Sequence, residues 1–149
     1  MANGQASIDL VIEKRGTPIV AVEARNLDSP SDEWAADFLR NLLESGDLPK
    51  CQYFLLALRN RMYLWRNPML PVSLADFKGD TSAAVEPYLL MLRRPLEKLS
   101  QSGFEMLIQT WLGEVVMGIL PDAGDRTWLV ESGLADAIRD AYIRPKIAA

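Results

Sequence analysis

Two short runs on either side of a glycine turn near the start of the chain constrain its fold more than any other feature. Over residues 7–13, Ile8, Leu10 and Ile12 alternate with Asp9, Val11 and Glu13, the period-two pattern of a strand. Thr17–Arg25 is a second β-rich run, and the Lys14-Arg15-Gly16 turn between them predicts an antiparallel hairpin. In both runs charged residues fall at odd positions, while Ile8, Leu10, Ile12, Val20, Val22 and Ala24 hold the even ones. Burying the apolar side therefore puts Asp9, Glu23 and Arg25 on one common face. This parity demands an odd-length loop over residues 14–17. A three-residue loop with Gly16 left-handed leaves Asp9 diagonal to Glu23, and a shift of two residues sets them directly opposite. Either register brings two carboxylates together, which is unfavourable unless Arg25 or a bound divalent cation offsets the repulsion.

The runs that follow extend the sheet. Ser29 is a candidate helix cap, with Pro30 at the first helical position and Asp32 and Glu33 in the first turn. Trp34, Phe38 and Leu42, with Ala35, Leu39 and Leu43, form an apolar face that ends at Gly46. Residues 51–58 and 62–65 are nearly continuous apolar runs around Arg59-Asn60-Arg61, as expected of a buried strand turning into its neighbour. The predicted order is β-β-α-β-β. Residues 67–80 read as a connector, and helical patterns follow over residues 84–94, 104–119 and 134–142. The expectation is one α/β domain over residues 1–149, with a core over 7–66 and a helical extension over 84–142.

Composition removes many function classes. The chain has 149 residues, one cysteine and no histidine, so an internal disulfide, the common zinc sites and every His-dependent triad are excluded. The apolar runs fall far short of the roughly 20 residues of a membrane helix, and Met1-Ala2-Asn3-Gly4-Gln5 lacks a signal pattern, so a cytoplasmic location is expected. The formal net charge is −4, and any nucleic-acid contact must rely on a local basic patch. Lys14, Arg15, Arg59, Arg61 and Arg66 cluster at strand ends, and Arg59 and Arg61 are the candidates for touching a phosphate backbone. Trp34, Tyr53, Tyr63, Trp65, Trp111 and Trp128 are read as core rather than as stacking platforms for unpaired bases, Cys51 as a packing residue, and Met91, Met106 and Met117 as core or interface filler.

Asp9-x13-Glu23-Ala24-Arg25, on a hairpin followed by a helix and two further strands, resembles the core of the PD-(D/E)XK nuclease superfamily. The nearest likeness is to the N-terminal nuclease domain of type I restriction subunits, carried by Pro18–Arg25, Tyr53–Ala57 and Met62–Trp65. The resemblance implies a restriction-endonuclease-like mixed sheet. It also implies that Asp9 and Glu23, which in the family hold the ion together with a carbonyl between the two acidic residues, are ligands of Mg2+ or its substitute Mn2+, which activates water for attack on a phosphodiester. In this motif Arg25 stands where lysine is usual. An arginine can hold a phosphate in its fork but, with a pKa above 12, cannot shuttle a proton, so reduced cleavage is expected. Ile8 stands where proline is usual, and eight residues before Asp9 are too few for the family's opening helix, implying a trimmed or truncated relative.

Two functions follow. One is a Mg-dependent nuclease hydrolysing phosphodiesters, its substrate DNA or RNA, with Asp9, Glu23 and Arg25 as its catalytic residues. The other is a non-catalytic interaction or assembly module on the same fold. There the amphipathic pattern of Phe104, Leu107, Ile108, Trp111, Val115 and Ile119 would either serve a subunit interface, most simply of a homodimer, or simply cover the sheet.

Overall fold

The computed structural model describes residues 8–119 and 127–145; Ser7, where the first predicted strand begins, lies outside them. The hairpin forms as the alternation requires, with β1 (Leu10–Lys14) antiparallel to β2 (Thr17–Arg25). Its turn differs from the expected one. Arg15 and Gly16 both have positive φ, 52° and 80°, and Lys14 faces Thr17 directly, so the loop has two residues. Two left-handed residues supply the twist that paired strands need. The extra residue that parity demands lies inside β2 instead. Ile12 faces Val20 and Glu13 faces Pro18, which leaves Ile19 as a bulge beside a proline that has no N–H to give the ladder. Through this bulge Leu10 faces Val22, and the next rung outward sets Asp9 opposite Glu23, the second of the two registers the sequence allowed.

Beyond the hairpin the order is as predicted. Helix α1 (Asp32–Ser45) crosses from β2 to the parallel β3 (Tyr53–Leu58), and β4 (Arg61–Arg66) returns antiparallel. The helix starts slightly later than expected, because Ser31 rather than Ser29 is its cap and Pro30 precedes the cap. Ser31 Oγ accepts from the Trp34 N–H at 3.1 Å, whereas Ser29 Oγ lies 2.9 Å from the Tyr63 hydroxyl. Gly46, at φ 79°, closes the helix as the sequence implies.

The second half is less purely helical than its pattern. Part of the predicted connector is β5 (Phe77–Asp80), which pairs with β4. The predicted helix over residues 134–142 shrinks to α5 (Leu134–Ala137), and Tyr142–Pro145 becomes β6 beside β1. Both strands have four residues, too few for an alternation to be read. Helices α2 (Thr81–Leu92) and α3 (Gln101–Val116) each begin three residues before the predicted start. Asp80 and Ser100 cap them, accepting from the N–H groups of Ser82 and Gly103, and capping residues lie outside an apolar pattern. The short α4 (Thr127–Glu131) precedes α5.

The chain is thus mixed α/β, with a six-stranded sheet in the order β5-β4-β3-β2-β1-β6. Helix α1 covers one face, packing Ala35, Ala36, Leu39 and Leu42 against Ala21, Phe54, Leu56 and Trp65. Helices α2 to α5 cover the other, where Phe104, Ile108 and Trp111 meet Val20, Val22, Leu55 and Leu64. Two covered faces explain why β3 is buried at all six positions. The face that carries the odd-numbered charges is therefore part of a core rather than open to solvent. None of the described helices is long and apolar enough to cross a membrane.

Candidate functional site

Strand pairing decides which chemistry-bearing residues share an end of the sheet. β1 runs opposite to β2 and β3 runs with it, so Asp9, Glu23, Arg25 and the Arg59-Asn60-Arg61 turn all lie where β2 and β3 finish. This is the edge at which open α/β sheets bind ligands. Lys14, Arg15 and Arg66 lie at the opposite end, since Arg66 faces Tyr53 at the start of β3. At about 3.3 Å per residue the two ends are roughly 17 Å or more apart, so the strand-end basic residues do not form one patch.

Asp9 and Glu23 are held by each other's strands. The Asp9 N–H donates to Glu23 Oε1 at 3.0 Å, and Asp9 Oδ2 accepts from the Ala24 N–H at 2.9 Å. Both residues are buried, Asp9 at 8% and Glu23 at 1% exposure. Arg25 completes the group: its Nη2 and Nε donate to Glu23 Oε2 at 2.6 and 3.1 Å, and its guanidinium lies 5.6 Å from the centre of the Phe38 ring. The arginine does not fully offset its surroundings. Burial, reinforced by repulsion from Asp9, pushes the Glu23 carboxyl up to about 7 against the pull of Arg25.

The sheet register also places the neighbouring lysine. Glu23 faces Leu56, Leu56 faces Tyr63 and Tyr63 faces Lys78, so Lys78 stands three strands from Glu23, roughly 14 Å at the usual strand spacing. It cannot stand in for a lysine at position 25. Lys78 instead pairs with Asp32 at 2.8 Å, and this ammonium, with a hydrogen bond from the Tyr63 hydroxyl, holds Asp32 below the usual carboxylate range. Arg59 is engaged with Asp28 at 3.1 Å. Arg61 is exposed and, with Asn60, Lys78, Gly79 and Asp80, lines an open recess of about 310 Å3. Both arginines lie at the acidic end of the sheet, but Asp28, Asp32 and Asp80 cancel much of their field.

Gln101 and Glu105, from α3 on the far face, join the site without a sign in the local sequence. Gln101 Nε2 donates to the Ala24 carbonyl at 2.7 Å and to Glu105 Oε2 at 2.7 Å, while Gln101 Oε1 accepts from the Asn26 N–H at 2.9 Å. The charge of Glu105 also acts on Arg25. Gln101 precedes the helix predicted over residues 104–119, and nothing near it points to a strand 77 residues away. Cys51 behaves as a packing residue: its thiol donates to the Tyr53 carbonyl, and burial pushes its pKa up.

Two carboxylates and a carbonyl are hard oxygen donors, a set that suits Mg2+, which takes one or two carboxylates and keeps several waters. Among the described residues no group of three His, Cys, Asp or Glu side chains converges as a metal cluster. The donors that the motif requires are present, but Arg25 occupies Glu23 Oε2 and Gln101 binds the Ala24 carbonyl. Compared with protein-family models, curated proteins and solved structures, the chain matches none of them.

Proposed function

We propose that the chain is a restriction-endonuclease-like, Mg-dependent phosphodiester hydrolase acting on DNA, with Asp9 and Glu23 as the cation ligands and Arg25 as the phosphate-holding group. One observation carries this reading. Two buried carboxylates are tied strand to strand at the end where β2 and β3 finish, and the arginine beside them leaves the Glu23 carboxyl at about 7. Such a pair is destabilised without a further positive charge, and perturbed carboxylates in this position mark functional sites. A bound Mg2+ would polarise the phosphoryl oxygen and make a nucleophile of its water. The chain's own contribution is to hold Asp9 and Glu23 through backbone N–H groups and to offer the Arg25 fork to a phosphate once it leaves Glu23.

Calorimetry with Mn2+ or Mg2+ tests the site. The parent should bind, and the variant carrying Asp9→Ala and Glu23→Ala should not; absence of heat from the parent removes the metal site. Cleavage of DNA should be slow in the parent and faster in Arg25→Lys, which restores a group able to move a proton.

A second reading, a non-catalytic assembly module, is favoured by one different observation. Leu90, Met91 and Met106 are 71, 82 and 62% exposed, beside a groove of about 420 Å3 between α2 and α3 lined by Tyr88, Leu92 and Leu107. Met91, Met106 and Met117 are thus surface residues rather than core. An exposed apolar patch of this kind suits a twofold contact between copies. Light scattering over a concentration series should then show a dimer; a monomer at every concentration disposes of this reading.

A further inference from the structure

The end of β2 poses a hydrogen-bonding problem that β1 leaves unsolved. β1 begins at Leu10, so among the described residues no strand receives the outward groups of β2 beyond Val22. Three of these are the buried Ala24 N–H, the partly buried Ala24 carbonyl and the Asn26 N–H at the exposed end of the strand. Asp9 Oδ2 takes the first. The other two go to a single side chain, because Gln101 donates to the Ala24 carbonyl and accepts from the Asn26 N–H. A carbonyl at one residue and an N–H two residues on are what a neighbouring strand pairs with, so the Gln101 amide acts as a one-residue strand. A second tie lies alongside: Asn26 Nδ2 donates to the carbonyl of Leu99, two residues before Gln101.

Arg25 sits between the two clamped peptide groups. We propose that Gln101 is a positioning residue of the acidic site: by pinning the peptides on both sides of Arg25 it fixes the arginine over Glu23, and so places the helical second half of the chain in control of that site. The orientation of the amide is determined by its partners. Its two N–H groups face two acceptors, the Ala24 carbonyl and Glu105, and its oxygen faces a donor, so the amide cannot be turned over without losing all three bonds. Release of the clamp frees the strand end, and the arginine can then leave Glu23 for Glu105, whose charge already acts on it. Asp9 from β1, Arg25 from β2 and Glu105 from α3 are the charged groups in this balance, with the Phe38 ring of α1 beneath the guanidinium.

The catalytic meaning of this clamp rests on the nuclease reading, but the clamp itself does not. The test is therefore the Arg25 Nε–H signal in NMR spectra at one fixed pH without metal, recorded for the parent, for Gln101→Ala and for Gln101→Met, which keeps volume and helix propensity. Gln109→Met, on the same helix, is the control. Loss of the clamp should free the guanidinium from Glu23, so exchange of the Arg25 Nε–H with water should speed up about tenfold or more in both Gln101 variants. The control should match the parent. An unchanged Arg25 exchange rate in Gln101→Met, at parental melting temperature, overturns the proposal. Mn2+ calorimetry on the same proteins separates the two ideas: faster exchange in a protein that binds no Mn2+ upholds the clamp and removes the nuclease reading.

Discussion

Asp9 and Glu23 each accept a hydrogen bond from the other's strand: the Asp9 N–H donates to Glu23 at 3.0 Å, and the Ala24 N–H, next to Glu23, donates to Asp9 at 2.9 Å. The two carboxylates are thus oriented by backbone, not merely brought near each other.

Stability should depend on the Glu23 proton. Its carboxyl lies at about 7 against an ordinary 4.5, so the folded chain holds the proton more tightly than the unfolded chain does. This contribution is complete below about 4.5 and is lost as pH rises through about 7. At about 1.4 kcal/mol per pH unit it amounts to something on the order of 3 kcal/mol. Urea unfolding should show the parent weakening across this window and Glu23→Gln holding nearly level.

Cation binding should release protons. A Glu23 that is partly protonated near neutrality must ionise to ligate a metal. Mn2+ titrations in two buffers of different ionisation enthalpy, near pH 6.5, should give heats that differ by a fraction of a proton per ion, and the difference should vanish at about pH 9.

Tyr53→Phe should loosen the C-terminal helices from the sheet. The buried Tyr53 hydroxyl donates to the Ser132 carbonyl at 2.8 Å, tying β3 to the turn between α4 and α5. Removing it leaves that carbonyl without its partner, at a cost of about 1–3 kcal/mol in unfolding free energy. Hydrogen exchange should rise first at residues 127–138.

Gly79→Ala should destabilise more than an exposed-strand alanine normally does. A Cβ at Gly79 would lie 2.3 Å from Nε1 of Trp128, so either the indole or β5 must move. Overpacking of this kind costs about 1–3 kcal/mol, measurable by urea unfolding, with a shift in tryptophan emission as the local reporter. An alanine variant as stable as the parent contradicts this packing.

Much of the hairpin, α1 and the β3–β4 pair was legible because each is a local pattern. Period two assigned Asp9, Glu23 and Arg25 to one face, and the six apolar residues of β3 announced burial on both sides. The finer errors have physical causes. Parity of the pattern required an odd residue somewhere between the strands, but a three-residue loop and a bulge at Ile19 satisfy parity equally, and only the ladder beside Pro18 distinguishes them. Strands β5 and β6 have four residues each and exist because a sheet edge is there to receive them.

What the sequence determined by itself is the local alternation that points two carboxylates and an arginine the same way. What only tertiary structure decided is their environment: the bulge that sets Asp9 opposite Glu23, the helix α1 that buries them, and the Gln101 amide that grips the backbone on either side of Arg25. Side-chain direction follows from a period of two residues, which neighbours in the chain define. Burial, counter-charge and hydrogen-bond partners come from distant residues, the Gln101–Ala24 bond alone spanning 77 positions, and nothing local encodes which of them will arrive.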